Sequence, residues 1–273
     1  MARPFTVMGI VNVTPDSFSD GGEWFDRDAA VRHGLELAAA GAGILDVGGE
    51  STRPGAADVT AEEEERRVVP VVRVLAAALP DVVLSVDTTK ASVAAAAIGA
   101  GARYVNDVSA FRHDPDMAAL VAERDVRCCL MHMRGVPRTM QDAPRYDDVV
   151  DDVARHLRER VEAVVAAGVS EDRIDVDPGI GFGKTVEHNL ALLRRLDEIV
   201  AIGPRVVVGT SRKTFLGRIT GRDDPRQRLA GTIATNVLAL AAGARVFRVH
   251  DVGAVHDALA VAAHVLEGPS PED

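Results

Sequence analysis

The 273 residues predict a (β/α)8 TIM barrel folded as a single domain. Three observations carry that expectation: eight short β-branched runs, a stretch of helical spacing after each, and strands that are apolar almost throughout. Near-continuous apolar strands are buried on both faces, as in a parallel sheet covered by its crossover helices. Eight βα units favour closure into a barrel over an open, doubly wound sheet. No glycine fingerprint follows the first strand, which weakens a dinucleotide-binding fold as well. Barrels of this length run as one domain.

The strands are expected at 6–13, 43–48, 82–87, 103–108, 127–132, 173–178, 205–209 and 245–250, each rich in Val, Ile, Leu or Cys. Helical spacing follows at 27–40, 61–79, 89–100, 115–124, 147–167, 185–199, 225–242 and 252–266. Thr60 with Glu63 predicts a capping box for the second helix, and Asp114-Pro115 a cap for the fourth. Gly41, Gly101, Gly168 and Gly243 stand where helices end and a left-handed residue is wanted. Pro70 lies inside the second helical pattern and is expected to kink or split it. The ordered core should span about 6–266, with 267–273 a frayed tail.

A net charge of −10 argues against binding a nucleic-acid backbone, which needs a basic face. A small anionic ligand stays open, because a site can be locally basic on an acidic protein. The two cysteines, Cys128 and Cys129, are adjacent in an apolar run, so they read as buried thiols of a reducing compartment. The apolar run before Asn12 is too short for a signal peptide, and no run approaches membrane-spanning length. A cytoplasmic location, away from membrane and nucleic acid, is expected.

Position is the informative feature of the polar residues. Asn12, Asp46, Asp87, Asn106-Asp107, His132, Asp177, Ser211-Arg212-Lys213, Arg248 and His250 stand at the C-terminal ends of the strands. In a barrel those ends meet at one mouth, where catalytic groups belong. For Asp46 and Asp107 a structural role as cap or satisfied layer residue is equally open. Asp87, Asn106 and Asp177 suit a ring bearing several N–H groups, since a carboxylate accepts parallel hydrogen bonds from a guanidine-like edge. Lys213, Arg212, Arg248, His250 and Arg53 suit an anionic substrate or leaving group. Lys213 has a competing reading as a Schiff-base lysine.

Three loops carry turn chemistry. "DPGIGFGKT" (177–185) is no Walker A loop, because Pro178 stands where glycine is required. It reads instead as bare backbone that a flat ligand can approach. "GGESTRPGA" (48–56) is a flexible loop after the second strand. "GIVNVTPDSFSDGG" (9–22) combines a strand end at Asn12 with turn residues from Thr14 onward, so it reads as a turn and as site equipment alike.

These stretches, with "VDTTKASVAAAAIGAGARYVNDVS", "MHMRGVPRTMQ", "GTSRKTFLGRITG" and "RVHDV", resemble in order the motifs of the dihydropteroate synthase family. The resemblance runs from about Met8 to Val252. It implies a (β/α)8 barrel, a homodimer, and the joining of 6-hydroxymethyl-7,8-dihydropterin diphosphate to p-aminobenzoate with release of diphosphate. Sulfonamides would compete with p-aminobenzoate. Carried over by motif, Asp87, Asn106, Asp177 and Lys213 would bind the pterin, bordered by Met131, Gly181 and Phe182. Asn12 would hold Mg2+ on the diphosphate, whose oxygens would meet Thr52, Arg53, Arg248 and His250. Phe18, Thr52, Pro54, Ser211 and Lys213 would contact p-aminobenzoate. Catalytic roles would fall to Lys213, Asp87, Arg53 and Asp16.

The sequence departs from the family where Ala110-Phe111 follow "NDVS" in place of Gly-Gly, which implies a locally different loop. Two alternatives share the pterin-binding set. One is a non-catalytic, synthase-like paralogue; the other is a methyltetrahydrofolate–corrinoid methyltransferase, which has no use for "TSRK" or the "STRPG" loop. Under the synthase reading, Arg53→Ala is expected to spare pterin binding and lower turnover. Wild-type kinetics for that variant would remove Arg53 from the site.

Overall fold

The computed structural model describes residues 4–14, 27–51, 58–135 and 139–267. Eight parallel strands close in chain order. They are β1 (Thr6–Asn12), β2 (Ile44–Gly48), β3 (Val83–Asp87), β4 (Tyr104–Asp107), β5 (Arg127–Met131), β6 (Ile174–Asp177), β7 (Arg205–Val208) and β8 (Val246–Val249). β1 pairs with β2 on one side and β8 on the other, so the sheet has no edge. Around it run α1 (Arg27–Ala39), α2 (Ala61–Ala78), α3 (Ala91–Ala100), α4 (Met117–Arg124) and α5 (Val149–Ala166). The circuit continues through α6 (Val186–Arg194), α7 (Leu196–Val200), α8 (Thr214–Thr220), α9 (Leu229–Ala241) and α10 (Val252–Glu267). All eight expected strands are present. Of the expected tail, Glu267 ends α10 and 268–273 lie outside the described residues.

The helices depart from expectation in particular places. The pattern at 185–199 is two helices, broken at Arg195, whose backbone sits at φ −112°, ψ 34°. Its guanidinium reaches Asp148 at 2.7 Å and Glu198 at 2.6 Å, tying the break to the N-cap of α5. The start of the 225–242 pattern is a 3-10 turn, Pro225–Arg228, and α8 lies within the stretch read only as a motif. Pro70 does not split α2, which runs on through it. Thr60 accepts from Glu63 N, but the Glu63 carboxylate holds Arg66 and Arg67, so the reciprocal half of that box is unmade. A complete capping box forms instead at Thr185 and His188. Asp114 does not cap α4; its carboxylate accepts from Asp116 N and from Ala91 N at the start of α3. The four helix-ending glycines have φ from 103° to 120°, as expected.

Strand alternation divides the core in two. Val11, Leu45, Val86, Val105, Leu130, Val176, Val208 and Val249 face outward and pack beneath the helices. Met8, Ile44, Tyr104, Cys129, Val207 and Val246 form a separate apolar layer inside the barrel. Both cysteines are free and buried, and burial raises their thiol pKa values. Asp175 is a fully buried carboxylate on the inward parity of β6. It accepts Tyr104 Oη at 2.8 Å, Arg205 Nε and Nη2 at 2.9 and 2.8 Å, and Arg127 Nη2 at 3.2 Å.

Four donors from β4, β5 and β7 thus converge on one acid of β6. Removing one partner of a buried ion pair is far more damaging than the net worth of the pair. Asp175→Ala is therefore expected to lower unfolding free energy by about 3–5 kcal/mol, measured by urea denaturation. A loss below about 1 kcal/mol would show that this lock is dispensable.

Candidate active site at the barrel mouth

At the C-terminal ends of the strands lies a cleft of about 490 Å³, counting its open mouth. Its walls include Ile10, Asp87, Asn106, Val108, Met131, Asp177, Gly179, Ile180, Phe182, Gly209, Ser211, Lys213, Arg248 and His250. The register explains the grouping. Asn12 pairs across to Gly48, Gly48 to Asp87 and Asp87 to Asn106, so one row crosses four strands at the same height. Asp46, Asp87, Asn106, Asp177 and Arg248 share the inward parity of their strands with Met8 and Ile44. Asp107 and His132 have the opposite parity, so their side chains miss the cleft.

Below the mouth, buried Asp46 accepts Ser85 Oγ at 2.5 Å, Asn106 Nδ2 at 3.0 Å and Arg248 Nε at 2.6 Å. Arg248 Nη2 continues to Asp87 Oδ2 at 2.7 Å. Burial raises the Asp87 pKa above the usual carboxylate range, and Arg248 opposes that rise. The same two acids hold the Arg248 pKa above its ordinary value, against burial. Asp46 thus has a structural answer: it orients two residues of the cleft without lining it.

Across the cleft, Asp177 Oδ1 accepts Gly179 N at 2.6 Å. Burial raises the Asp177 pKa, while the Gly179 bond and the charges of Lys213, Arg248 and Lys184 lower it. Gly179 has φ 66°, and a Cβ there would stand 1.9 Å from the His132 carbonyl oxygen, so only glycine fits. Lys213 donates Nζ to Ile180 O at 2.7 Å and lies 4.0 Å above the Phe182 ring centroid. Burial pulls its pKa down to about 8. Phe182 packs with Val108, Met131, Met133 and Met140, giving the cleft an apolar wall. Ser211 Oγ lies 3.0 Å from His250 Nδ1 and accepts His250 N at 3.2 Å.

Neither Asn12, half-buried at the end of β1 in the row just described, nor Gly181, between Ile180 and Phe182, is among the cleft-wall residues. Asp16, Phe18, Thr52, Arg53 and Pro54 lie outside the described residues. Three strand-end candidates serve structure instead. Arg212 pairs with both carboxylate oxygens of Asp251, at 2.9 and 2.5 Å. Asp107 accepts Ser109 N and Phe111 N, and His132 meets Lys184 at 2.9 Å behind the cleft. The sequence reading overlooked Ile10, Val108, Gly179, Ile180 and Gly209 as lining and Lys184 as a buried cation.

Among the described residues no group of three or more His, Cys, Asp or Glu could hold a metal ion. Asp46 and Asp87 are engaged by Arg248, which leaves Asn12 as the one oxygen donor that the family resemblance names. That donor set does not fit a resident metal. It does fit Mg2+ bound mainly through substrate phosphate oxygens and water.

A family model for pterin-binding enzymes matches residues 8–250. The dihydropteroate synthase of Mycobacterium leprae is 49% identical, over 98% of this chain and 96% of its own length. The chain belongs to the dihydropteroate synthase family. A solved structure of the Xanthomonas albilineans synthase with 4-aminobenzoic acid superposes at TM-score 0.91, with 51% identity over 98% of this chain and 95% of that one. A second Xanthomonas structure, in complex with 7,8-dihydropteroate, superposes at TM-score 0.89 with 47% identity over the same shares of the two chains. The Yersinia pestis synthase with a sulfonamide drug complex reaches TM-score 0.92, at 43% identity over 97% of this chain and 95% of that one.

Family membership displaces the Schiff-base reading of Lys213. It also sharpens the departure at Ala110-Phe111. Both residues hold left-handed backbone, φ 54° and 59°, the conformation that glycines would take there. The turn here is secured by the Asp107 carboxylate and by the buried Phe111 ring.

Gly179 gives the sharpest test of the geometry. Gly179→Ala is expected to abolish binding of a pterin ligand by driving the turn away from His132 and releasing the Asp177 carboxylate. Titration calorimetry reads this directly, and wild-type affinity in that variant would contradict the placement.

Proposed function

We propose that the chain is a transferase of folate biosynthesis that joins 6-hydroxymethyl-7,8-dihydropterin diphosphate to p-aminobenzoate. The products are 7,8-dihydropteroate and diphosphate. The observation that carries the reading is the Asp177 carboxylate, oriented by Gly179 N and set with Asn106 in a cleft walled by Met131 and Phe182. A fixed carboxylate can accept parallel N–H bonds from an aminopyrimidine edge, and an amide both donates and accepts. The apolar wall suits the faces of a flat ring.

In this reading diphosphate leaves first, breaking the C–O bond and placing positive charge on the pterin methylene. Asp87 and Asp177 stabilise that charge, Lys213 borders the pterin, and Arg248 and His250, with Thr52 and Arg53, meet the departing diphosphate. Opposite charges fixed at the two ends of a breaking bond lower its barrier in a site that excludes water. Asn12 would hold Mg2+ on the diphosphate, where the ion supplies neutralising charge to the leaving group. The neutral aromatic amine then forms the C–N bond and sheds a proton. Ser211 and Lys213 receive p-aminobenzoate, with Phe18, Thr52 and Pro54; Arg53 and Asp16 complete the catalytic set. Sulfonamides compete for the same place.

The homodimer implied by the family has an apolar face available on neighbouring α9 and α10, where Leu238, Val261 and Val265 are 64%, 67% and 78% exposed. No helix among the described residues is long and apolar enough to cross a membrane. A cytoplasmic place of action is part of the proposal.

The test is diphosphate release with the pterin diphosphate, Mg2+ and p-aminobenzoate. Turnover supports the synthase; pterin binding without turnover would leave a binding paralogue. The pH dependence follows from Lys213. Its ammonium form persists below about pH 8 and is lost as pH rises through that value, so kcat/KM should fall on the alkaline side. A profile flat from about pH 7 to about 9.5 would remove the charged lysine from the mechanism.

A further inference from the structure

Lys184 is 3% exposed and absent from the cleft wall. Among the described residues no carboxylate lies within ion-pair distance of it. Its ammonium group instead has three close acceptors, Gly179 O at 3.0 Å, Phe182 O at 3.0 Å and His132 Nδ1 at 2.9 Å, and a longer contact to His132 O at 3.5 Å. Burial and the neighbouring lysine push the His132 pKa down to about 2, so the ring is neutral and free to accept at Nδ1. Burial, with the charge of Lys213, also pulls Lys184 down to about 7, and the Asp177 carboxylate opposes that fall.

The acceptors identify the purpose. Residues 179–183 form a turn with positive φ at Gly179, Gly181 and Gly183, closed by one backbone hydrogen bond from Phe182 N to Gly179 O at 3.0 Å. Each of its five carbonyls is nonetheless taken by a side chain. Lys184 holds Gly179 O and Phe182 O, Lys213 holds Ile180 O, Gln141 holds Gly181 O at 2.6 Å, and Tyr146 holds Gly183 O at 2.8 Å. The same turn supplies the amide that fixes Asp177 and carries the Phe182 ring under Lys213.

We infer that Lys184 is a positioning residue for the pterin: by holding two carbonyls of the 179–183 turn it sets the Asp177 carboxylate and the Phe182 ring at the spacing the flat ligand requires. It touches no reacting atom. The inference rests on the pterin reading of the cleft given above. It separates Lys184 from Lys213, which lines the cleft and serves the chemistry.

The test compares Lys184→Gln and Lys184→Met with wild type. Binding of 6-hydroxymethyl-7,8-dihydropterin diphosphate with Mg2+ is measured by calorimetry, and KM for p-aminobenzoate by turnover. Glutamine keeps up to two N–H donors, whereas methionine fills similar volume and keeps none. Pterin Kd should rise about tenfold or more for Met, and by less for Gln, with KM for p-aminobenzoate within about twofold of wild type. Unchanged pterin affinity in the variants would overturn the inference. So would equal losses for Gln and Met, or a parallel rise in the p-aminobenzoate KM. If Lys184→Met does not fold, Lys184→Gln decides alone: wild-type pterin affinity sinks the inference, and a pterin-selective loss supports it. Failure of the wild-type chain to bind the pterin would sink the reading of the cleft itself, a result distinct from the others.

Discussion

Asp177 is a carboxylate that folding removes from water, and the mouth of the barrel is arranged around that fact. An isolated buried carboxylate is strongly disfavoured and takes up a proton unless donors and cations surround it. Gly179 N supplies the donor at 2.6 Å, and Lys213, Arg248 and Lys184 supply the field. The donor requires a turn that only glycine can make at position 179, because a side chain would strike the His132 carbonyl. That turn closes on a single backbone bond, Phe182 N to Gly179 O, and two lysines, a glutamine and a tyrosine donate to its carbonyls. One buried charge thus accounts for much of the glycine, lysine and amide content of a stretch that superficially suggests a phosphate loop.

Opposite it, a second network solves the same problem differently. Asp46 and Asp87 share Arg248, and Asp46 also collects Ser85 and Asn106. Strands β2, β3, β4 and β8 are tied at one level, so Asn106 and Arg248 reach the cleft in fixed orientations. The two networks leave the mouth lined by both acids, Asp87 and Asp177, and cations, Lys213 and Arg248. Such preorganised charge is what separation of a carbocation from diphosphate calls for.

Much of this was legible in the sequence, and the misses have physical causes. The eight βα units and the polar strand ends predicted the barrel and its active end. Strand parity, available from the same residues, would have sorted the candidates further. Counting from Leu130 places His132 outward, and counting from Val105 does the same for Asp107, while Asp177 falls inward with Asp175. Arg212 could not be sorted this way, since it lies beyond β7 and its partner Asp251 comes from beyond β8. Lys184 escaped notice because its acceptors are carbonyls and a histidine, which leave no charge pattern in a sequence. The roles of Asp16, Phe18, Thr52, Arg53 and Pro54 rest on the family resemblance alone.

The claim on which the rest turns is that the Asp177 carboxylate reads the pterin edge. Asp177→Asn preserves size and the acceptor for Gly179 N but replaces one oxygen with a donor, setting N–H against N–H. Calorimetry with 6-hydroxymethyl-7,8-dihydropterin diphosphate should show affinity falling about a hundredfold or more, in a protein that remains folded. Affinity within about threefold of wild type would mean that the ring is recognised elsewhere, and the assignment of the cleft would have to be abandoned.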